Sequence, residues 1–376
     1  MKKQVVAMAL VGGRGTRLKN ITKSTAKPAV SFGGKYRLID FVLSNVSNSS
    51  IDTIGLVTQY EPHDLMKYIG TGSTWDLDVN DGGVTFLTPF TSSEGDAWQK
   101  GTAHAIKQHF RFIDQYSPDY VVILSGDHIY KMDYQQMIKE HIKNQADITI
   151  STFKVFGDGS RFGILELERN GKVKSFEEKP EHPKSKTASM GVYVFNREIL
   201  RNLLNIEGVT LDDFGKDIIP LALSHNLEVF GHRFSGYFRD VGTVESLFEA
   251  NMDLIDNSQY LKLHEYKDFP VYTKSSNLPP HHIASESFVK NSLISDGCMI
   301  SGRLNHCVIS SGTVVKKDCV LNNVIIYEDV VINKNCVIEN AIILNDSVIL
   351  ENTKLIFEEI TIVDNEFLWK LGDRDE

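Results

Sequence analysis

The chain has 376 residues, of which 41% are hydrophobic and 24% charged, and its formal net charge is −9. These values exclude an intrinsically disordered protein, and the acidic balance argues against non-specific nucleic-acid binding, which needs a basic surface. No apolar run reaches the ~18–20 residues of a membrane span, so we expect no membrane association. The four cysteines show no Cys-x-x-Cys spacing. This favours buried free thiols in a reduced, cytoplasmic protein.

The first predicted element is a buried strand that leads directly into a glycine-rich loop. Residues 5–11 (VVAMALV) form an unbroken apolar run, which is typical of a strand covered on both faces. The loop that follows, GGRGTRL, combines Arg14 and Arg17 with glycines whose backbone can approach a bound anion. It has neither the Walker ending nor the G-x-G-x-x-G spacing. We interpret it as a phosphate-binding loop, and the alternative is a plain turn between a strand and a helix.

Apolar runs then alternate with helical patterns up to about residue 255. DYVVILSGDHIY (119–130) predicts a strand and a polar turn, a helical pattern follows it, and DITISTFKVF (147–156) predicts the next strand. This alternation indicates an α/β layer with a mainly parallel sheet. Ligands bind beyond the carboxyl ends of such strands, which is where the glycine loop and residues 126–127 both lie.

A segment rich in Pro, Ser and His, KSSNLPPHHIASES (274–287), precedes a different periodicity. Apolar residues recur at every sixth position: Val308, Val314, Val320, Ile326, Ile332, Ile338, Leu344 and Leu350, with a second row at Val324, Val330, Cys336, Ile342 and Val348. Two inward residues per hexapeptide predict a triangular parallel β-helix of about four coils, and a β-sandwich with coincidental spacing is the alternative. The predicted organisation is an α/β domain at 1–256, a linker at 257–283 and a β-helix at 284–376.

Two aspartates stand at predicted sheet ends. Asp127 follows an apolar strand directly, and Asp240 precedes a predicted helix that begins near Thr243. Paired carboxylates suit Mg²⁺, a hard ion that binds oxygen ligands and keeps phosphates and waters as the remaining ones. The alternative for each carboxylate is that it only caps a turn or a helix. The twelve histidines show no zinc-type spacing.

Other polar residues stand in constrained settings in the same layer. Lys27 and Lys179 each precede a proline, so each is a point charge on a fixed backbone. Gly101 and Thr102 stand at a predicted helix start, whose free N–H groups could receive a flat base, and the hydroxyl of Ser189 suits a sugar. Together they predict a nucleotide at the glycine loop, an anionic sugar opposite and Mg²⁺ between them. The chemistry that fits is nucleotidyl transfer, which depends on positioning and charge neutralisation.

Many of these stretches resemble one family across nearly the whole chain. They occur in the order GGRGTRL, AKPAVSFGGKYRLIDFVLSN, TQYEP, WDLD, KGTAHAI, VILSGDHIYKMDY, SRFGI, EEKP, ASMGVYVF, DFGKDIIP and DVGTVESLFEANMDL. This series is similar to that of the glucose-1-phosphate adenylyltransferases. The resemblance implies a Rossmann-like nucleotidyltransferase domain followed by a left-handed β-helix. It also implies a homotetramer that makes ADP-glucose and pyrophosphate from ATP and glucose 1-phosphate, with Mg²⁺, for bacterial glycogen synthesis.

The resemblance further implies roles for residues at matching positions. The implied catalytic residues are Arg17, Lys27 and Asp127, and the implied metal ligands are Asp127 and Asp240. The implied nucleotide-binding residues are Leu10, Gly12, Gly13, Gly15, Thr16, Gly101, Thr102 and Gly126. The implied glucose 1-phosphate residues are Gln99, Gly163, Glu178, Lys179 and Ser189, with Lys179 on the phosphate.

Two positions depart from the family pattern, because Gln99 replaces a tyrosine and Val11 an alanine. They keep open a second hypothesis, a noncatalytic or weakly catalytic regulatory subunit of a heteromeric pyrophosphorylase. Such a subunit would be expected to lose charged site residues, yet all of them are present: Arg17, Lys27, Asp127, Lys179 and Asp240. A pyrophosphorylase for another sugar nucleotide is disfavoured by AKPAV, WDLD and DFGKDIIP. A hexapeptide acyltransferase is disfavoured because the coils carry no obvious acyl-carrier site.

Overall fold

A computed structural model describes residues 2–13, 15–23, 25–90, 100–206, 211–257, 261, 263 and 269–372. The part up to residue 257 is an α/β unit, and the part from residue 282 is built from stacked strands. Within the described ranges, every helix is too short or too polar to cross a membrane.

The α/β unit contains strands and helices in alternation. Its strands are β1 (Val5–Leu10), β2 (Ser31–Phe32), β3 (Tyr36–Arg37), β4 (Thr53–Val57), β5 (Gly83–Leu87), β6 (Tyr120–Ser125), β7 (His128–Tyr130), β8 (Ile148–Lys154), β9 (Gly163–Leu167), β10 (Val173–Glu178), β11 (Thr187–Asn196), β12 (Val229–Arg233) and β13 (Phe238–Asp240). Its α-helices are α1 (Leu38–Asn48), α2 (Pro62–Ile69), α3 (Thr102–Gln108), α4 (Phe110–Tyr116), α5 (Tyr134–Lys143), α6 (Arg197–Leu204), α7 (Ile219–Ser224) and α8 (Val244–Asp256). Shorter helical turns cover Thr16–Thr22, Lys27–Ala29, Ser73–Trp75 and Phe214–Ile218.

The main sheet of this unit has a parallel half and an antiparallel half. Its strand order is β10-β9-β11-β6-β1-β4-β5, and β8 with β12 branches from β11. Strands β6, β1, β4 and β5 run parallel to one another, whereas β11 runs antiparallel to β6. The predicted α/β fold is confirmed, and the parallel half is the one that carries the glycine loop.

Strand β1 is buried on both faces, which explains its unbroken apolar run. Val5, Ala7 and Ala9 pack into one apolar cluster, and Val6 and Met8 pack into another on the opposite face. Side chains alternate between the faces of a strand, so a doubly covered strand needs an apolar residue at every position. The glycine loop begins where this double cover ends.

The C-terminal part is a parallel β-helix. Within residues 282–363 one five-stranded parallel sheet comprises β14 (His282–Ile283), β16 (Met299–Ile300), β18 (Val314–Val315), β20 (Val331–Ile332) and β22 (Val348–Ile349). The other comprises β15 (Phe288–Ile294), β17 (Arg303–Ile309), β19 (Val320–Ile326), β21 (Val337–Ile343) and β23 (Lys354–Val363), and a C-terminal helix, Asn365–Gly372, follows. The predicted parallel β-helix is confirmed, and its left-handedness stays a prediction. Its first strand, β14, begins inside the predicted linker, so the linker ends earlier than predicted. All four cysteines are buried free thiols within it.

The predicted six-residue row of inward side chains is wrong at several positions. Val320, Val348 and Leu350 are 39%, 48% and 70% exposed, and Val314 and Leu344 are only half-buried. The reason is the length of a coil, because β17, β19 and β21 pair with an offset of 17 residues rather than 18. A strict step of six therefore shifts by one residue in every coil and turns an inward position outward.

Asp and Asn residues mark corners of the β-helix at the same interval of 17 residues. Asp318, Asn335 and Asn352 stand at equivalent corners and have φ angles of 62°, 58° and 64°. Asn and Asp adopt this left-handed conformation at lower cost than most L-residues. Corner side chains also bond from coil to coil, as where Asn323 Nδ2 donates to Asn340 Oδ1 at 2.7 Å.

The two parts of the chain share an apolar cluster. Val308, Ile325 and Ile342, at equivalent positions of successive coils, belong to the same cluster as Leu247 and Phe248 of α8. The β-helix therefore covers an apolar face of the α/β unit.

The described part of the predicted linker is bound to the α/β unit. Tyr272 N donates to Ser44 Oγ at 2.8 Å, and Trp75 Nε1 donates to Tyr272 O at 3.2 Å. Asn48 Nδ2 donates to Pro270 O at 2.8 Å. These bonds fix the path of the chain between the two parts.

Candidate active site

The glycine loop lies beside residues 126–127 because β1 and β6 are neighbouring parallel strands. Leu10 pairs with Ser125, and Gly126 N donates to Leu10 O at 3.0 Å. Val11 is buried against Gly126, where an added Cβ would lie 2.5 Å from Val11 Cγ1. The extra bulk of Val11 therefore fills the core beneath the loop.

The glycines of the loop meet different constraints. A Cβ on Gly12 would lie 2.6 Å from the Cβ of Gln59, so a side chain would collide there. Gly15 has a φ of 62°, and a Cβ on it would lie 3.2 Å from the Cβ of Lys27. The loop thus needs glycine to pass close to its neighbours and to Lys27. Three predicted residues here are exposed: Gly13, Thr16 and Arg17.

Lys27 is the centre of a charged cluster at the end of the sheet. Its Nζ atom lies 2.6 Å from Asp127 Oδ2 and 3.7 Å from Asp240 Oδ1. Lys27 begins a helical turn that contains Pro28, and only 5% of its surface is exposed. Asp240 reaches the cluster because β13 pairs with β7, which sets Asp240 opposite His128. The structure therefore brings both predicted metal ligands to one predicted catalytic lysine.

The electrostatics of the cluster keep Asp127 ionised. Burial favours the neutral carboxyl, but the charges of Lys27 and His128 and hydrogen bonds from Lys27 and Ser125 outweigh it and hold the pKa of Asp127 well below its usual range. His128 Nε2 lies 3.5 Å from Asp127 Oδ1 and 3.9 Å from Asp240 Oδ1. Its Nδ1 atom is buried and has no hydrogen-bond partner among the described residues.

The donor atoms of this cluster fit Mg²⁺. The side chains of Asp127 and Asp240 are 26% and 21% exposed, so both carboxylates face open space as well as Lys27. Across the ranges that the structure describes, no group of three or more His, Cys, Asp or Glu could hold a metal ion. A pair of carboxylates is what Mg²⁺ commonly uses when substrate phosphates and waters complete its coordination.

The predicted glucose 1-phosphate residues gather nearby. Gly163 and Glu178 are opposite each other on the antiparallel strands β9 and β10. Lys179 follows β10, and its Nζ atom lies 3.0 Å from Glu178 Oε1. Its φ angle is 49°, a left-handed conformation that is uncommon for a non-glycine residue and clusters at functional sites. Ser189 is buried, and its Oγ atom accepts a hydrogen bond from Gly191 N at 3.1 Å.

One cavity of about 410 Å³ joins the two groups of residues. The predicted residues that line it are Arg17, Lys27, Asp127, Gly163, Glu178, Lys179, Ser189 and Asp240. Sequence reasoning missed other lining residues: Ser125, His128, Arg161, Phe162, Gly191, Tyr193 and Phe238. Two of them had a signal, because His128 adjoins Asp127 and Arg161 lies in the SRFGI motif. A larger cavity of about 940 Å³ between the two parts of the chain is lined by none of the predicted site residues.

The helix predicted to start at Gly101 and Thr102 is confirmed as α3, but two N–H groups of its first turn are not free. They donate to Asp212 O at 2.8 and 3.4 Å, and Thr102 Oγ1 donates to Asp213 Oδ2 at 3.0 Å. The expectation that these N–H groups are open to a base is therefore wrong, because the segment at 211–213 covers them. Two residues singled out in the sequence lie outside the described ranges: Arg14 and Gln99.

Comparison with known proteins assigns both parts of the chain. Residues 6–257 match the model of the nucleotidyl transferase family, and residues 279–360 match the GlmU-like C-terminal hexapeptide model. The glucose-1-phosphate adenylyltransferase of Bacillus subtilis is 51% identical over 84% of each chain. That of Geobacillus stearothermophilus is 49% identical over 85% of this chain and 84% of the relative, and that of Clostridium acetobutylicum 48% over 85% of each. The chain therefore belongs to the nucleotidyl transferase family and, within it, to the glucose-1-phosphate adenylyltransferases.

Proposed function

We propose that this chain forms ADP-glucose and pyrophosphate from ATP and glucose 1-phosphate, with Mg²⁺, for glycogen biosynthesis. The observation that carries the proposal is the single cavity in which Arg17, Lys27, Asp127 and Asp240 stand near Glu178, Lys179 and Ser189. A nucleotidyl transfer needs both substrates in one cavity, in line with each other, and charge neutralisation between them.

At the nucleotide end, the glycine loop and two cations receive the triphosphate. Arg17 presents a guanidinium fork, which suits phosphate oxygens, and Lys27 presents an ammonium on a fixed turn. The backbone at Gly13 approaches the phosphates closely, because the space that a side chain on this residue would take is open. These groups hold the α-phosphate in place while charge shifts onto the leaving pyrophosphate.

Asp127 and Asp240 would hold the metal at this end. Bound there, Mg²⁺ would neutralise charge on the triphosphate oxygens. The low pKa of Asp127 supports this role, because the carboxylate is ionised at neutral pH and can bind a cation.

At the sugar end, Lys179 holds the phosphate of glucose 1-phosphate. Glu178 is placed to accept hydrogen bonds from sugar hydroxyls, and Ser189 offers a hydroxyl of its own. Gly163 keeps the wall beside Glu178 free of a side chain, since a Cβ there would lie 2.8 Å from Glu178 Oε2.

The reaction requires no proton abstraction from the nucleophile. A phosphate oxygen of glucose 1-phosphate attacks the α-phosphorus of ATP, the bond from that phosphorus to the bridging oxygen breaks, and pyrophosphate leaves with the electron pair. An ionised phosphate oxygen is already a nucleophile, so positioning and electrostatic stabilisation carry the rate.

We further propose a cytoplasmic homotetramer. Four buried free thiols suit a reducing compartment. Outward apolar side chains on the β-helix, including Phe288 and Met299 at 58% and 56% exposure, suit contact between copies. Light scattering on the intact chain is expected to give the mass of four copies, and a monomer would contradict the assembly but leave the activity untouched.

The decisive experiment assays the purified chain without any partner protein. ATP and glucose 1-phosphate are expected to give ADP-glucose and pyrophosphate in equal amounts, measured by chromatography, with Asp127→Asn as the matched inactive control. A panel of other nucleoside triphosphates and sugar 1-phosphates is expected to react more slowly. If no nucleotide sugar forms, or another pair reacts faster, this function is wrong.

A further inference from the structure

The ammonium of Lys27 stands where the carboxylates would meet a metal ion. The Nζ atom of Lys27 lies 2.6 Å from Oδ2 of Asp127 and 3.7 Å from Oδ1 of Asp240. The other oxygen of Asp127, Oδ1, already accepts a hydrogen bond from the Ser125 hydroxyl and faces His128. The lysine thus occupies the Asp127 oxygen that is not bound by Ser125.

The backbone of Lys27 is fixed by its surroundings, whereas the end of its side chain can move. Lys27 is 5% exposed, and Ala29 N and Val30 N close its turn through bonds to Ala26 O and Lys27 O at 2.9 and 3.1 Å. A flexible four-carbon stem can swing its end group, but the backbone beneath it stays in place. The ammonium can therefore exchange partners within the cavity without any movement of the main chain.

Charge decides which partner the ammonium takes. Two carboxylates attract one cation strongly, but a lysine ammonium and a divalent ion at the same oxygens repel each other. Lys27 lines the cavity and adjoins Gly15 of the glycine loop, so a triphosphate bound as in the proposed function would bring several negative charges next to it. The triphosphate offers the ammonium a new partner and so frees the carboxylate oxygens.

We propose that the Lys27 ammonium and the divalent cation are alternative partners of the Asp127–Asp240 pair, and that the bound triphosphate drives the exchange by drawing Lys27 onto itself. The inference rests on the proposed function for the identity of the anion. Its consequence is that Lys27 keeps free divalent cations off the carboxylates until a nucleotide arrives. Cation and nucleotide then bind with positive coupling.

The test measures cation binding directly, with Mn²⁺ as the probe because it prefers the same oxygen ligands and its free form is counted by electron paramagnetic resonance. The intact protein is titrated without nucleotide or sugar phosphate. Lys27→Met removes the competing charge and keeps the length of the side chain, so it is expected to bind Mn²⁺ at least ~10-fold more tightly than the unaltered chain. Lys27→Arg keeps the charge and is expected to bind as weakly as the unaltered chain.

Two further variants test whether the effect depends on the carboxylates and provide a substitute if Lys27→Met does not fold. In the double variant Lys27→Met with Asp127→Asn, the increase in Mn²⁺ affinity is expected to disappear. This result would show that the added affinity depends on the Asp127 carboxylate. Lys27→Gln keeps an N–H donor beside Asp127 without the charge, so it replaces Lys27→Met if the latter fails to fold, as judged by circular dichroism.

The results separate the exchange from the proposed reaction. If Lys27→Met and Lys27→Gln bind Mn²⁺ no more tightly than the unaltered chain, or if none binds it detectably, the exchange is overturned even when ADP-glucose is made. A chain that makes no nucleotide sugar but gains Mn²⁺ affinity on loss of Lys27 would overturn the proposed function and keep the competition at the carboxylates.

Discussion

The carboxylate of Glu178 lies against the α-carbon of Gly215, in the space that a side chain on residue 215 would take. A Cβ built on Gly215 would collide with Glu178 Oε2, and one built on Gly163 would lie 2.8 Å from the same atom. Two glycines from distant parts of the chain therefore form the slot that holds this carboxylate. Gly215 belongs to the helical turn Phe214–Ile218 and was not among the residues that the sequence singled out.

Gly215→Ala is expected to raise the KM for glucose 1-phosphate about 10-fold, because the displaced Glu178 loses a charge-assisted hydrogen bond to the sugar. Steady-state kinetics with each substrate varied in turn measure the effect. In a Glu178→Ala background the same change is expected to add little, since no carboxylate remains to be displaced. Full additivity of the two changes would show that Gly215 acts in another way.

Asp127→Asn is expected to lower kcat by ~10²-fold or more, because it removes a charged metal ligand and keeps the shape of the side chain. The matched control is Asp119→Asn, an exposed carboxylate just before the other end of β6 that pairs with Lys2. That variant is expected to keep normal turnover. Near-normal turnover in Asp127→Asn would show that Asp127 is not an essential metal ligand.

Lys179→Met is expected to raise the KM for glucose 1-phosphate by ~10- to 100-fold with a smaller effect on kcat, because a charge-assisted hydrogen bond to phosphate is lost. Lys174→Met is the matched control, since this lysine lies on β10 with its side chain 70% exposed. It is expected to leave the kinetics unchanged. An effect confined to the KM for ATP would assign Lys179 to the other substrate.

Asp40 is fully buried at the start of α1, where hydrogen bonds and the charge of Arg37 only partly favour its ionised form. Both its oxygens lie 2.9 Å from Tyr68 Oη, and Oδ2 accepts a bond from Arg37 N at 2.9 Å. Burial raises the pKa of Asp40 to about 7 from its ordinary 3.8, because the hydrogen bonds only partly offset the loss of hydration.

The contribution of Asp40 to the stability of the protein is therefore expected to fall as pH rises from about 4 to about 7. In this window the unfolded chain releases the Asp40 proton and the folded chain retains it, which costs about 1.4 kcal/mol per pH unit. Asp40→Asn removes the titration, so the Tm of the variant relative to the unaltered chain should increase with pH and level off above pH 7. Calorimetry from pH 5 to 8 gives the comparison. A constant difference in Tm would contradict it.

Local patterns in the sequence predicted the α/β unit, the glycine loop and the helix that begins after Thr243, because each depends on residues close together in the chain. The apolar run of β1 and the capping of α8 by Thr243 are of this kind. The meeting of Asp127 with Asp240 could be expected only in outline. It depends on the pairing of β7 with β13, which joins residues more than a hundred positions apart and leaves no local trace.

The errors also have physical causes. The open helix start at Gly101 was wrong because the covering segment, near Asp212, is distant in sequence. The six-residue row failed because apolar spacing alone does not reveal the corner length. A better signal was present in the Asn and Asp residues: Asp318, Asn335 and Asn352 follow one another at the true interval. Gly215 lies in the DFGKDIIP motif, but its requirement for glycine could not be predicted, because it comes from Glu178 on β10.

Because each coil has 17 residues, the β-helix can be lengthened or shortened without disruption only by whole coils. Val308, Ile325 and Ile342 repeat at this interval and all meet the α/β unit, so the seam between the parts has the same period as the coil. An insertion or deletion of one whole coil moves each apolar side chain onto the place of its equivalent and preserves the seam. An insertion or deletion of six residues, one hexapeptide, would turn every later coil, so that its apolar side chains no longer face the α/β unit. Length variation among related chains is thus expected to come in whole turns in this part and in any number of residues in the surface loops.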